Sequence, residues 1–255
     1  MTESDSLPED DTEDSGDRRT LPVVQLIPNL VTLLGLCAGL TAIRYGIAGS
    51  WQVAAGLIVL AALIDGMDGL LARKLNAASH FGAELDSLSD FVCFGVAPGI
   101  VIYSALLQDW PGLGWVLVLI YVLGACLRLA RFNVNRNAPP PPGRVHFVGV
   151  PAPAGAMLGL LPLYLTLAGW MDMREWPALA GLYMAFVGLL MISRLPTPSP
   201  KGWRVPRKRA ALVLVGVAVY AGALVSQPWV VLAVSDLAYL AVLAWGSWRD
   251  RRKLA

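Results

Sequence analysis

Apolar residues dominate eight stretches of this chain, and each is long enough, at roughly 20 residues, to cross a lipid bilayer as a helix. The predicted spans are residues 26–48, 52–72, 84–107, 113–133, 150–170, 176–193, 209–226 and 229–247. The connections between them are short and rich in glycine, proline, tryptophan and charge. No polar stretch after residue 20 is long enough to form the core of a soluble domain. The pattern predicts an all-α integral membrane protein, a bundle of about eight transmembrane helices.

Composition supports this interpretation and sets one segment apart. Of the 255 residues, 56% are hydrophobic and 15% are charged, and the mean hydropathy is +0.59, as is typical of polytopic membrane proteins. Residues 1–20 differ, because they contain eight acidic and two basic residues and no apolar run. Such a segment buries too little apolar surface to fold, so we expect a disordered acidic tail. The three cysteines lie in apolar runs without paired spacing and predict neither a disulfide nor a zinc site.

Lysine and arginine indicate how the spans are oriented, because cytoplasmic loops of membrane proteins are enriched in both residues. If the acidic tail is cytoplasmic and the spans alternate in direction, 18 of the 20 basic residues lie on the cytoplasmic side. The exceptions are Arg44 and Arg174. Both termini are then cytoplasmic, and the expected location is the cytoplasmic membrane.

An acidic stretch, Asp65–Asp90, lies between the second and third predicted spans and holds five of the ten acidic residues outside the tail. Asp65 and Asp68 are three residues apart, and Asp86 and Asp90 are four apart, so on helices each pair shares one face. Carboxylates at membrane depth are costly unless they are paired or bind cations. Oxygen ligands alone favour hard ions such as Mg²⁺ or Mn²⁺. The stretch predicts a metal site at the cytoplasmic ends of spans two and three.

Two classes of function suit such a cluster. Phosphoryl transfer needs mainly positioning and charge neutralisation, which divalent ions supply. A divalent-cation transporter would use the same carboxylates as a permeation site. Transporters often carry internal repeats with interrupted helices in both halves, whereas this chain has one acidic cluster without a second copy. Arg73 beside a cation pathway would also oppose permeation. An enzyme is the favoured class, and the transporter stays the alternative.

The spacing of the acidic stretch resembles the signature of the CDP-alcohol phosphatidyltransferase family. The matching positions are Asp65, Asp68, Gly69, Ala72 and Arg73, then Gly82 after eight residues, and Asp86 and Asp90 at intervals of four. The resemblance predicts a membrane core over residues 21–195. It follows the acidic tail (1–20) and precedes two additional helices with a basic C-terminus (196–255).

The resemblance implies that an alcohol hydroxyl attacks the donor directly, with the help of two divalent ions, Mg²⁺ or Mn²⁺. The ions would be held by Asp65, Asp68, Asp86 and Asp90, and Asp90 would also act as the general base. The donor CDP-diacylglycerol would contact a second set of residues. These are Asn29, Thr32, Gly69, Arg73, Ser79 and Gly82. A homodimer is a further expectation of the family.

Two other stretches, RLARFN at 128–133 and FVGVPAPAGA at 147–156, resemble the branch of the family that uses L-serine as acceptor. A zwitterionic acceptor needs a cation for its carboxylate, and Arg128, Arg131 and Asn133 are the candidates. The expected reaction converts CDP-diacylglycerol and L-serine to phosphatidylserine and CMP. Other acceptors, such as glycerol 3-phosphate or an inositol phosphate, stay open. The two arginines also suit the positive-inside rule or lipid phosphates.

Asp236 lies in the middle of the last predicted span. An ionisable residue at membrane depth suggests a role, but this one is far in sequence from the acidic stretch. We expect either a structural hydrogen bond within the bundle or a span boundary that differs from the predicted one.

Overall fold

A computed structural model of the chain describes residues 23–75, 79–135, 147–193, 196–197 and 209–254, which form eight helices and one short β pairing. The helices are α1 (Val23–Ile47), α2 (Trp51–Lys74), α3 (His80–Leu107), α4 (Pro111–Asn135), α5 (Ala152–Leu167), α6 (Pro177–Ile192), α7 (Ala210–Ser226) and α8 (Pro228–Leu254). The two-residue strands β1 (Phe147–Val148) and β2 (Pro196–Thr197) pair in antiparallel fashion. The predicted acidic tail lies outside the described residues.

Each predicted span coincides with one of these helices, and the all-helical prediction is confirmed. Five helices, α1 to α4 and α8, are long and apolar enough to cross a membrane. The other three, α5 to α7, have 16, 16 and 17 residues. At 1.5 Å per residue these are about 24–26 Å long, somewhat shorter than the hydrocarbon core. The chain is therefore an integral membrane protein, while the exact number of spans stays a prediction.

Two helix ends differ from the predicted spans for local reasons. Helix α3 begins at His80 instead of residue 84, because the Ser79 hydroxyl accepts a hydrogen bond from the Gly82 amide at 3.0 Å and caps the first turn. Helix α5 ends at Leu167 instead of residue 170. Gly169 follows with a φ of +72°, a conformation that glycine adopts readily and that commonly ends helices.

Helix α3 contains two π-helical turns, Phe91–Val96 and Tyr103–Leu107. Such turns shift the register of a helix and occur frequently at functional sites. The first begins directly after Asp90. Within it, the carbonyl of Phe94 accepts a 2.6 Å hydrogen bond from the Tyr121 hydroxyl of α4. The register of α3 therefore changes where its acidic half meets its apolar half.

Helices α1, α2 and α3 pack closely through small residues. A Cβ atom added at Gly39 of α1 would lie 2.5 Å from the Cys93 sulfur of α3, so only glycine permits this approach. The Cys93 thiol donates a hydrogen bond to the Gly35 carbonyl at 3.3 Å. Helix α1 also packs along α2. These contacts hold the three helices as one unit.

Helices α4 and α6 form a second close pair. A Cβ atom at Gly188 of α6 would lie 2.6 Å from the Tyr121 Cα of α4, so these backbones nearly touch. Helix α5 packs between α3, α6 and α8, and α7 packs on α8. The described side chains of α7 are mostly exposed and apolar, as suits a surface covered by lipid.

Candidate active site

The four aspartates of the acidic stretch converge in a single cluster. Asp65 and Asp68 lie in the second half of α2, and Asp86 and Asp90 lie in the first half of α3. One oxygen from each of Asp65, Asp68 and Asp86 lies within 4.8 Å of the other two. Carboxylates this close repel one another unless a proton or a cation neutralises them. The three aspartates therefore form a group that can hold a divalent cation.

Asp90 lies at the edge of this group. Its carboxyl group is within hydrogen-bonding distance of Asp65 and interacts electrostatically with Asp86. Arg128 of α4 in turn interacts with both Asp65 and Asp90. Asp90 thus contacts the metal-binding group on one side and a guanidinium on the other.

Helix α1 positions the cluster through Thr32. Its hydroxyl donates to a carboxylate oxygen of Asp68 at 2.8 Å and lies 3.1 Å from the Pro28 carbonyl. Thr32 and Asp68 are both buried, at 7% and 6% exposure. A buried carboxylate is held firmly by such a bond, because leaving either partner unpaired would be costly. The Ser89 hydroxyl donates to the Thr32 carbonyl at 3.4 Å, which ties α3 to the same point of α1.

A small cavity adjoins the carboxylates. Its lining combines the cluster with hydroxyl and apolar groups: Thr32, Gly35, Ala61, Asp65, Asp68, Asp86, Ser89, Asp90, Cys93 and Phe94. Its only sulfur is that of Cys93, whose thiol is bonded to the Gly35 carbonyl. The remaining polar atoms are oxygens, the donor set preferred by Mg²⁺ and Mn²⁺.

The predicted donor-binding residues fall into two groups. Asn29, Ser79 and Gly82 lie together, since a Cβ atom at Gly82 would be 2.6 Å from the Asn29 side-chain oxygen and 3.1 Å from the Ser79 hydroxyl. Gly82 thus permits close packing of α3 against α1. Gly69 differs, because a Cβ atom there would meet no atom within 4 Å. Arg73 continues α2, and its side chain lies outside the described part of the structure.

The structure separates the three predicted acceptor-binding residues. The half-buried Arg128 faces the carboxylates, and its guanidinium lies 5.5 Å from the centre of the Phe132 ring. Arg131 points away, because its guanidinium donates to the Ile192 carbonyl at 2.8 Å and so caps the last turn of α6. The side-chain oxygen of Asn133 accepts a 3.0 Å hydrogen bond from Ser87 of α3. Only Arg128 is brought to the cluster.

Sequence reasoning missed two residues near the site. Ser87 lies between Asp86 and Asp90, but a serine in a polar stretch gives no signal of a partner on another helix. Tyr239 of α8 lies close enough to Arg128 to interact with it electrostatically. Its sequence context is an apolar span, and no local pattern marks it.

Asp236, also on α8, is buried at 7% exposure. Among the described residues, one of its carboxylate oxygens has no hydrogen-bond partner, and neither has the buried hydroxyl of Tyr183. The expected structural hydrogen bond of Asp236 is therefore not seen at this oxygen. The residue lies within helix α8, so a misplaced span boundary does not explain it either.

The fold and the site together define a class of protein: an integral membrane helix bundle with an oxygen-only carboxylate cluster between two helices. Comparison with known sequence families narrows this class. Residues 25–193 match the family described as CDP-alcohol phosphatidyltransferase, and residues 210–243 match a second family with the description CDP-alcohol phosphatidyltransferase 2. The chain belongs to the CDP-alcohol phosphatidyltransferase family, as its acidic stretch predicts.

Curated relatives cover most of the chain. A CDP-diacylglycerol–serine O-phosphatidyltransferase of Mycobacterium tuberculosis is 39% identical over 241 residues, which cover 91% of this chain and 81% of the relative. A protein of the same name from Mycobacterium leprae is 42% identical over 222 residues, 85% of this chain and 73% of the relative. One from Helicobacter pylori is 33% identical over 197 residues, 74% and 79% of the two chains.

Proposed function

We propose that the protein transfers the phosphatidyl group of CDP-diacylglycerol to the hydroxyl of L-serine, releasing phosphatidylserine and CMP. The convergence of Asp65, Asp68 and Asp86 within 4.8 Å carries the phosphotransfer chemistry. The choice of serine is supported by the names of the relatives, which are similar over 74–91% of this chain. It is also supported by Arg128, a cation beside the cluster that suits the carboxylate of the acceptor.

The cluster suits two divalent ions, Mg²⁺ or Mn²⁺, held by Asp65, Asp68, Asp86 and Asp90. When bound, such ions neutralise the pyrophosphate and stabilise the charge on the attacking and leaving oxygens. Asp90 lies on the side of the cluster that faces Arg128, where the acceptor would bind. Its carboxylate accepts the proton of the serine hydroxyl as the serine oxygen bonds to phosphorus. The bond from phosphorus to the oxygen of the CMP phosphate breaks, and CMP leaves.

The donor is proposed to bind on the opposite side of the cluster, along α1, α2 and the start of α3. Its contacts are Asn29, Thr32, Gly69, Arg73, Ser79 and Gly82. The open space at Gly69 supports this placement, because a ligand can reach the backbone of α2 there. The close group of Asn29, Ser79 and Gly82 supports it as well, since its polar atoms lie at the N-terminus of α3, which favours phosphate.

For the acceptor, we assign the carboxylate of L-serine to Arg128. Arg131 and Asn133 belong to the same region of α4, but their hydrogen bonds to Ile192 and Ser87 favour supporting roles over direct contact. The site is proposed to face the cytoplasm, with both termini on that side, because 18 of the 20 basic residues then lie there. A homodimer is proposed on the basis of family membership alone.

The acceptor panel is the test of this function. Purified protein is given CDP-diacylglycerol and Mn²⁺ with L-serine, glycerol 3-phosphate or an inositol phosphate, and CMP release is measured. Release with L-serine alone is the expected result. Release with another acceptor would overturn the assignment of serine and leave the phosphotransfer intact. No release with any acceptor, together with uptake of divalent cations into proteoliposomes, would establish the transporter instead.

A further inference from the structure

The interface of α3 with α4 carries three hydrogen bonds that involve side chains, in order along the two antiparallel helices. Tyr103 donates to the Pro111 carbonyl at 3.5 Å near the turn that joins the helices. Tyr121 donates to the Phe94 carbonyl at 2.6 Å in the middle. Ser87 donates to the side-chain oxygen of Asn133 at 3.0 Å, at the end farthest from that turn.

Asp90 and Arg128 lie between the second and the third of these bonds. Along α3 the order is Ser87, Asp90 and Phe94, and along α4 it is Asn133, Arg128 and Tyr121. The charged pair is therefore bracketed by one hydrogen bond on the apolar side and one on the side where the acceptor enters. The inner bond is fully buried, and the outer one is partly buried.

The two helices are otherwise anchored to different parts of the bundle. Helix α3 is held to α1, through Ser89 and Cys93. Helix α4 is held to α6, through Arg131 and the contact at Gly188. The carboxylates thus belong to one packed unit and Arg128 to another. The distance between them at the mouth of the site depends on a bond that crosses from one unit to the other.

We propose that the hydrogen bond between Ser87 and Asn133 is a positioning device that holds Arg128 at the correct distance from Asp90 for the acceptor. This proposal rests on the proposed function and assigns roles to both residues: they position Arg128 and do not contact the substrate. The Ser87 hydroxyl also lies 3.0 Å from the Ala83 carbonyl one turn back, which fixes its side chain on the face toward α4.

The proposal makes a prediction that ordinary destabilisation does not. Because α1, α2 and α3 keep their own contacts, removing the bond leaves the metal-binding and donor-binding groups in place. Ser87→Ala and Asn133→Ala should each raise the KM for L-serine by roughly three- to tenfold, the effect of one lost hydrogen bond. The KM for CDP-diacylglycerol and the kcat should stay within about twofold of the parent values.

Three variants complete the test. The double variant of Ser87→Ala and Asn133→Ala should be no worse than either single variant, because both remove the same bond. Ser87→Thr, which keeps the hydroxyl, should restore the KM for L-serine. Asn135→Ala is the matched control, since Asn135 is exposed on the same helix and bonds only within it, to the Arg131 carbonyl at 2.8 Å. It should behave as the parent.

Additive effects of the two substitutions, equal rises in both KM values, no rise, or the same rise in the Asn135 control would overturn the proposal. Hydrogen exchange in Ser87→Ala provides a readout that needs no activity. Faster amide exchange at residues 129–135, with that of α2 unchanged, is expected, and unchanged exchange at 129–135 would contradict the positioning role. If the parent protein releases no CMP with L-serine, the proposed function fails, while the exchange result still decides whether the bond couples the two helices.

Discussion

Asp90 occupies a different chemical position from the other three aspartates. Asp65, Asp68 and Asp86 share a space of the size of a metal site, and Thr32 holds one of them through α1. Asp90 contacts Asp65 and faces Arg128 across the site. It is therefore the carboxylate best placed to meet the hydroxyl of an incoming acceptor, and a single substitution distinguishes its role from that of a pure metal ligand.

Asp90→Asn removes the proton acceptor and preserves the size of the side chain. A lost general base lowers turnover by about 10²- to 10⁴-fold. We expect kcat to fall in this range while the protein still binds Mn²⁺, measured by calorimetry. Glu84→Gln is the matched control, because Glu84 is an exposed acidic residue of the same helix outside the cluster. Turnover near the parent value in Asp90→Asn would contradict its role as the base.

Arg128 and Arg131 should respond differently to substitution. Arg128→Ala removes the cation beside the cluster and should raise the KM for L-serine by about tenfold or more, since hydrogen bonds to charged groups contribute roughly 1.5–3 kcal/mol. Its effect on the KM for CDP-diacylglycerol should be smaller. Arg131→Ala should instead lower the melting temperature, because it exposes the end of α6 that Arg131 caps. Equal effects of Arg128→Ala on both KM values would point to a structural role.

At the scale of elements, the sequence was sufficient for the carboxylates and insufficient for the arginines. Spacings of three and four residues put each aspartate pair on one helix face, whatever the neighbouring helices do. The roles of Arg128 and Arg131 depend on how α4 is rotated against α3 and α6. That rotation is set by the close contact at Gly188 and the π-helical turn after Asp90, for which the sequence gives no local signal.

The two glycines of the donor side should also behave differently. Gly69→Ala places a methyl group where the structure has no neighbouring atom within 4 Å, so the melting temperature should not change. If the donor approaches the α2 backbone there, its KM should rise by roughly tenfold, the effect of about 1.4 kcal/mol. Gly56→Ala is the control, since Gly56 is equally open and lies more than three turns earlier on α2. An unchanged KM in Gly69→Ala would remove Gly69 from the donor site.

At the scale of the whole molecule, the apolar pattern predicted every helix, because a span long enough to cross a bilayer leaves a clear signal. The shorter α5 and α6 were predicted with boundaries two or three residues too wide at some ends, since a glycine turn stops α5. The placement of α8 beside Arg128, through Tyr239, follows from tertiary packing alone. Asp236 has an oxygen without a partner in the described residues, and the structure gives no account of it.

The proposed orientation makes a prediction about labelling in intact cells. Glu175, in the exposed connection between α5 and α6, should lie outside the cell, and Leu75, at the end of α2, should lie inside. With Cys37, Cys93 and Cys126 replaced by alanine, a cysteine at position 175 should react with a membrane-impermeant maleimide. A cysteine at position 75 should react only after lysis. The reverse pattern would invert the topology and put the carboxylate cluster on the outer side.

The central claim is that the carboxylate cluster transfers a phosphatidyl group to serine. Its most direct test is the stoichiometry of the reaction with radiolabelled L-serine, CDP-diacylglycerol and Mn²⁺, with lipid-bound label and CMP measured in the same sample. We expect one labelled phosphatidylserine for each CMP released, and neither product after chelation of the metal. CMP released without labelled lipid, or labelled lipid formed at full rate in the presence of chelator, would contradict the account.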